Sequence, residues 1–286
     1  MSHLAALLAL HVSVALFGLA GLFGKWLALS PLAIVLGRTV VASLALIILA
    51  RVRRERLGAM EPALLLNGAI LALHWVTFFL AIQTADVATG LLGYATFPLF
   101  TLVLERRGRL RGIGRREWTS ILLVLAGFAV LVPAPTWADR TVQGLVIGAI
   151  SGLTFAWLAV RNRALLDAHG AMGLAFWQNA WAATWLMVIT VPIVGTLEAP
   201  TLSDIFALIT LGALCTALAH TLFIASLRRL TAHAASVVAA LEPVYGIAFA
   251  VLLLGDRPDA RQLAGAALLL AAAVVATSRA RLATAS

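Results

Sequence analysis

Residues Ala239–Leu254 read AALEPVYGIAFAVLLL, a run apolar enough to cross a bilayer that nonetheless carries a carboxylate, Glu242, followed at once by Pro243. A charge at that depth costs at least about 2.5–3.5 kcal/mol on insertion scales, so it must face a partner or a wet cavity. Proline removes a helical N–H and crowds the preceding turn, which bends the helix and frees carbonyls. In lipid those groups need protein or water beside them, so this stretch reads as the wall of a polar pathway. A sister stretch, TGLLGYATFPLFTLVL, repeats the device at Phe97-Pro98.

Composition supports the same class. The chain is 62% hydrophobic and 12% charged over 286 residues, with a mean hydropathy of +1.01. A soluble domain of this length has too little interior for so much apolar surface, whereas a series of roughly 20-residue spans accommodates it. The net charge of +9 does not point to nucleic acid, because the basic residues fall almost entirely between apolar runs. The single cysteine, Cys215, lies inside one such run and cannot form an internal disulfide. The opening stretch Leu4–Phe23 lacks a basic leader and a small-residue cleavage site, so it is expected to be a retained helix.

Ten spans can be drawn, at about 4–24, 32–50, 62–82, 87–104, 118–133, 142–160, 173–195, 204–227, 233–254 and 261–278. The expected fold is therefore all-α, a polytopic membrane protein of ten transmembrane helices. The fourth and fifth spans look short for a full bilayer. With the N-terminus on side one, that side holds sixteen Lys and Arg, from the Arg51–Arg56, Arg106–Arg116, Arg161/Arg163, Arg228/Arg229 and Arg279/Arg281 groups. The other side holds four, Lys25, Arg140, Arg257 and Arg261, and Arg38 lies within a span. This asymmetry and an even span count place both termini in the cytoplasm.

The chain also repeats. A slide of 145 residues brings Pro98 onto Pro243, Phe78 onto Phe223 and Trp75 onto His220, without a gap from the third span through the fifth. A slightly smaller shift brings Phe17 onto Phe155. Each repeat holds an odd number of helices, five, so the second is inserted upside down relative to the first. The halves are drawn as residues 1–135 and 140–280. Inverted repeats are the plan of secondary transporters, whose sites lie near mid-membrane at the repeat interface.

Candidate site residues follow from chemistry at depth. Glu242 can serve as a proton or cation site or meet a substrate amine; equally, it can satisfy a neighbouring helix by pairing with Arg38. Arg38 can bind a substrate carboxylate, snorkel toward the outer face, or neutralise Glu242. His74 and Phe78 share one helical face, with His220 and Phe223 as near-counterparts, and buried histidines either line a pathway or simply bond helices together. Tyr94 and Phe97 sit one turn apart beside the bend and offer a gate or a stacking surface. Phe17 and Phe155 complete the expected substrate lining, and Pro98 and Pro243 are the expected hinges. Trp177, Trp181 and Trp185 form a stripe that reads as a packing or lipid-facing ridge, with Gln178 and Asn179 in need of partners. Trp26, Trp118 and Trp137 fall at span ends, where interfacial belts use them. Gly144, Gly148 and Gly152 read as a close-packing ridge.

No HExxH, GxSxG or His/Cys cluster with metal spacing occurs, and Gly24-Lys25 lacks the rest of a phosphate loop. Neither a metal nor a cofactor is expected. A membrane-embedded enzyme needs a catalytic pair that does not show, and a structural or receptor role needs no mid-membrane glutamate. The lining offers dispersion and cation–π contacts more than directional hydrogen bonds, which predicts broad specificity and weak, about millimolar, affinity.

Taken together, the L-E-P at Leu241–Pro243, the matching F-P at Phe97-Pro98, the run DVATGLLGYATFPLFTLVLE and the closing G-D then Q-L-A-G over Gly255–Gly265 resemble the EamA-type carriers of the drug/metabolite transporter superfamily. Length and layout are similar to the YddG-type amino-acid exporters. The resemblance implies a monomeric bacterial inner-membrane carrier, moving amino acids (aromatic ones included) or related small metabolites outward by alternating access. Other cargo classes in that superfamily, such as cationic drugs, nucleobases or sugar-derived metabolites, form the alternative. It also implies a central cavity ringed by spans one to four and six to nine, with spans five and ten outside it.

Overall fold

The computed structural model describes residues 1–106, 114–131, 139–190, 192, 199–255 and 257–277, all of them helix, turn or connection, with no strand. The helices are α1 (His3–Trp26), α2 (Pro31–Arg53), α3 (Pro62–Thr84), α4 (Val87–Tyr94), α5 (Phe97–Glu105), α6 (Arg115–Leu131), α7 (Arg140–Thr190), α8 (Leu202–Gly212), α9 (Ala219–Ser226), α10 (Ala232–Ala239), α11 (Glu242–Phe249) and α12 (Ala260–Thr277). Six uninterrupted or nearly uninterrupted helical stretches among them are long and apolar enough to cross a membrane, and Thr89–Glu105 and Ala260–Ala272 are shorter apolar ones. Trp137, Pro133-Ala-Pro135 and several of the expected basic residues lie outside the described residues.

Local sequence explains most of the boundaries. Ser2, Ser30, Asp86, Thr201 and Thr231 cap α1, α2, α4, α8 and α10 by accepting a backbone N–H of the first turn. Pro31 and Pro62 occupy the first turn, where the missing N–H has no intrahelical role.

Three expectations about the spans need correction. First, the connection drawn between the sixth and seventh spans is helical, and α7 runs on to a break at Gly170 (φ 68°, ψ 163°). The polar run RNRALLDAH before it reads as a loop by polarity, yet it holds no helix breaker; the turn waits for a residue that tolerates positive φ. Secondly, the fourth span is two short helices, α4 and α5, and the ninth is likewise split into α10 and α11. The breaks precede the prolines rather than coincide with them. Pro98 and Pro243 sit in the first turn of the second segment, and the chain passes through tight i→i−3 turns, Thr96 to Gly93 (3.3 Å) and Leu241 to Val238 (3.0 Å). Thirdly, the eighth span is interrupted by a π-helical turn over Ala213–Leu218 that no pattern in the sequence marks.

Glycines set how closely the two halves interlock. The α7 ridge of Gly144, Gly148 and Gly152 lies on Ala81 and Ala85, then Gly90 and Gly93, then Tyr94 and Phe97. Pro98 leaves the Tyr94 carbonyl without its usual helical donor, and that oxygen faces Gly152, where an added Cβ would lie 2.7 Å away. On the opposite flank Gly18 of α1 meets Tyr245, Gly246 and the Glu242 carbonyl at the start of α11. The first helix of each half thus packs on the broken span of the other.

Contacts between helix ends show which connections share a side. Arg229 donates to the Met1 carbonyl, Arg163 to that of Leu230, and the Ala232 and His233 amides to Glu105. At the other end Lys25 donates to the Ala85 carbonyl and Gln262 to Asp86. Gly144, near the start of α7, touches Ala85. So α7 begins at the end where α1 finishes, and its first arm, up to the Gly170 break, runs opposite to α1. The α6 and α12 helices pack on one another through Val124, Ala266, Leu269 and Ala272, with Ser120 donating to the Ala272 carbonyl. Trp177 and Trp185 donate to the Leu57 and Leu65 carbonyls, and Trp181 covers Gly68, so the tryptophan stripe is a packing ridge. Gln178 bonds Asn162 across the Gly170 bend, and Asn179 bonds back to the Ala175 carbonyl. Trp26 and Trp118 are exposed at helix ends.

Candidate functional site

A small cavity lies between the two halves, lined by Phe17, Ala20, Arg38, His74, Trp75, Phe78, Tyr94, Phe155, His220 and Glu242. Eight of the nine residues expected to line a substrate site are therefore brought together from α1, α2, α3, α4, α7, α9 and α11. Phe97 stands one layer back, stacked on Tyr94 (centroids 5.3 Å apart, 19°) and edge-on to Phe155. Among the described residues, neither α6 nor α12 contributes to the lining.

The wall is aromatic. His74 stacks on Phe155 at 4.8 Å and lies near Phe78 and Tyr94, and Phe17 contacts Phe155 and Phe223. Such rings offer polarisable faces and favour cations and other π systems. In this conformation the space is contracted. The centre of a water molecule can move through about 20 Å³, enough for roughly one water.

The polar groups are set in that wall with definite partners. His74 Nδ1 lies 3.0 Å from the Ser151 carbonyl and 2.8 Å from Ser151 Oγ. A carbonyl only accepts, so this geometry assigns the proton to Nδ1 and, in the neutral imidazole, leaves Nε2 as an acceptor. Ser151 Oγ in turn donates to the His74 carbonyl at 3.0 Å. His220 differs: it is fully buried, packed edge-on to Trp75 at 5.8 Å, and neither ring nitrogen has a hydrogen-bond partner among the described residues. Glu242 is buried and hydrogen-bonded to the Tyr94 side chain, and its Oε2 has no partner among the described residues. Buried polar atoms rarely stay unsatisfied, and their convergence on one cavity marks a place where a ligand or water completes the set.

Arg38 corrects one of the alternatives left open by its position: it is 1% exposed, so it does not snorkel. Among the described residues it makes no direct ion pair with Glu242, although both line the cavity and attract one another across it. Its Nε donates to Thr216 Oγ1 at 2.8 Å, its Nη2 reaches the Cys215 carbonyl at 3.3 Å, and its guanidinium lies 4.1 Å over the Trp75 ring. Trp75 and Ala20 are lining residues that span-level reasoning did not select. Trp75 carried a signal, as the repeat counterpart of His220; Ser151 and Thr216, ordinary hydroxyls in apolar runs, carried none.

An all-α bundle with a polar-dotted cavity between two interlocked halves is the build of a multi-pass membrane carrier. The profile of the EamA-like transporter family matches twice, over residues 4–132 and 142–278, and the chain belongs to that family, within the drug/metabolite transporter superfamily. It is a membrane transporter with two EamA repeats. Among curated proteins no match is found. A solved structure described only as "Crystal structure of protein" is similar over 98% of this chain and 100% of that one, with a TM-score of 0.75 at 20% identity, a likeness of fold alone.

Proposed function

We propose that this transporter exports amino acids or related small metabolites across the bacterial inner membrane, as a monomer of ten spans with both termini cytoplasmic. Its halves, residues 1–135 and 140–280, act as inverted repeats that open the cavity alternately to either side. The observation that carries the reading is the convergence of unpartnered His220 and Glu242 atoms on an aromatic-walled cavity at the interface of the halves. Residues related by an inverting pseudo-twofold axis touch one another only near that axis. Phe17 contacts its counterpart Phe155 and Trp75 its counterpart His220, which supports this placement of the axis.

Room for about one water cannot hold an amino acid, so loading requires the walls to part. The breaks before Pro98 and Pro243 are the points at which the fourth and ninth spans can pivot. Pro98→Ala and Pro243→Ala proteins should fold yet exchange substrate more slowly, because a continuous helix shifts the balance between access states. Near-normal turnover in both would leave the prolines as passive features. Orientation is checked separately: a C-terminal reporter that fluoresces only in the cytoplasm should be bright, and one active only outside should be silent.

Aromatic walls with few directional bonds predict broad, loose recognition. Ala at His74, Tyr94 or Phe97 should lower flux unequally, harming aromatic cargo more than small cargo. Equal losses for phenylalanine and alanine across all three variants would count against an aromatic recognition surface. The aromatic walls and Glu242 also suit a cationic drug, but Arg38 on the same cavity opposes an unaccompanied cation.

A further inference from the structure

The geometry points to Arg38 as a fixed receptor for the carboxylate of the cargo, aimed by the π-helical turn through Thr216. We infer that a substrate lies in the cavity with its carboxylate toward Arg38 and its ammonium toward the Tyr94–Glu242 wall. The inference rests on the amino-acid reading and deepens it by fixing the charge pattern that cargo must carry.

The construction begins in the backbone. In a regular helix the Ala219 N–H would bond the Cys215 carbonyl. Here it bonds instead to Leu214, five residues back, and to Thr216. That extra residue in the turn leaves the Cys215 carbonyl free to accept from Arg38 Nη2. The Thr216 hydroxyl donates to the Leu211 carbonyl at 2.7 Å, so its oxygen is held as an acceptor for Arg38 Nε. With Trp75 under the guanidinium plane, position and tilt are both set.

The fork is only partly used. Nε and Nη2 are engaged, and Nη1 makes no hydrogen bond to the described residues. A guanidinium so placed retains donors suited to a carboxylate, and pre-orientation reduces the freedom lost on binding. Across the same cavity, Glu242 Oε2 has no partner. A guanidinium and a carboxyl that line one cavity without direct contact, attracting one another only across it, offer a carboxylate and an ammonium separate partners.

The test uses full-length protein in sealed proteoliposomes and follows flux of labelled phenylalanine against unlabelled phenylalanine or phenylalaninamide, which share ring and amine and differ in the carboxylate. Wild type should prefer the acid over the amide. Thr216→Val, which removes the Nε acceptor without changing charge, should shrink that preference about tenfold, the scale of one charge-assisted hydrogen bond. Thr216→Ser should restore it. Should Thr216→Val not be recovered folded, Arg38→Lys keeps the charge, loses the fork, and should give the same loss. Equal competition by amide and acid in wild type, or an unchanged preference in the folded variants, overturns the inference and leaves the carrier reading standing. No phenylalanine flux in wild type, with none for other amino acids, overturns both together.

Discussion

Replacing Glu242 by Gln is expected to cut amino-acid flux about tenfold or more while leaving thermal stability unchanged or raised. The carboxylate is buried at the head of α11, bonded to the Tyr94 side chain on one oxygen and unpartnered on the other. Gln keeps the shape and can still accept from Tyr94, so the wall is preserved. What disappears is a carboxyl able to carry negative charge when a cationic group lies beside it, at a depth where a lone ion is costly. A group retained for packing would show the opposite pattern, with flux preserved and stability lost. Measuring flux and melting temperature on the same Glu242→Gln preparation separates the two, and near-wild-type flux would remove Glu242 from the site.

The second large effect is structural. Gly152→Ala should destabilise the protein by about 1–3 kcal/mol, the usual cost of overpacking. The new methyl would lie 2.7 Å from the Tyr94 carbonyl and 3.2 Å from the Phe97 amide nitrogen, and backbone has little room to yield. Relief requires α7 to move away from the break between α4 and α5, which also displaces Tyr94 and Phe155 at the cavity wall. Gly127→Ala is the matched control, because its nearest neighbours stand at 3.4 Å, an ordinary contact. A melting temperature lowered by Gly152→Ala and little altered by Gly127→Ala is the expected result; equal tolerance at both positions would show that α7 and the broken span are not tightly apposed.

These effects indicate how much was legible in the chain itself. Long apolar runs and their proline and serine boundaries reveal helices because the bilayer demands continuous apolar length. Glu242, Arg38 and His220 stand out for a related reason: each is expensive at depth, so each needs a purpose. Other features leave no such mark. The π-helical turn at Ala213–Leu218 lies between α8, which packs on α2, and α9, which packs on α1 and α7, and ALCTAL contains no residue that demands it. Thr216 becomes informative only when Arg38 is seen beside it. Polarity before Gly170 reads as a loop, yet Arg, Asn and Asp are compatible with a helix, and the chain breaks only at Gly170. Two buried ionisable groups suggest a direct Arg38–Glu242 pair, but Thr216, Cys215 and Trp75 are the guanidinium's nearer partners, and Glu242 attracts it from across the cavity.

The cavity is proposed to carry amino-acid-like cargo. Counterflow of a labelled amino-acid panel into proteoliposomes preloaded with unlabelled phenylalanine tests it most directly. The predicted result is saturable, protein-dependent exchange, half-maximal at about millimolar concentration, which needs only about 4 kcal/mol of binding, and competed by several aromatic and aliphatic amino acids. Micromolar selectivity for a single compound, or no exchange with any amino acid, would contradict it.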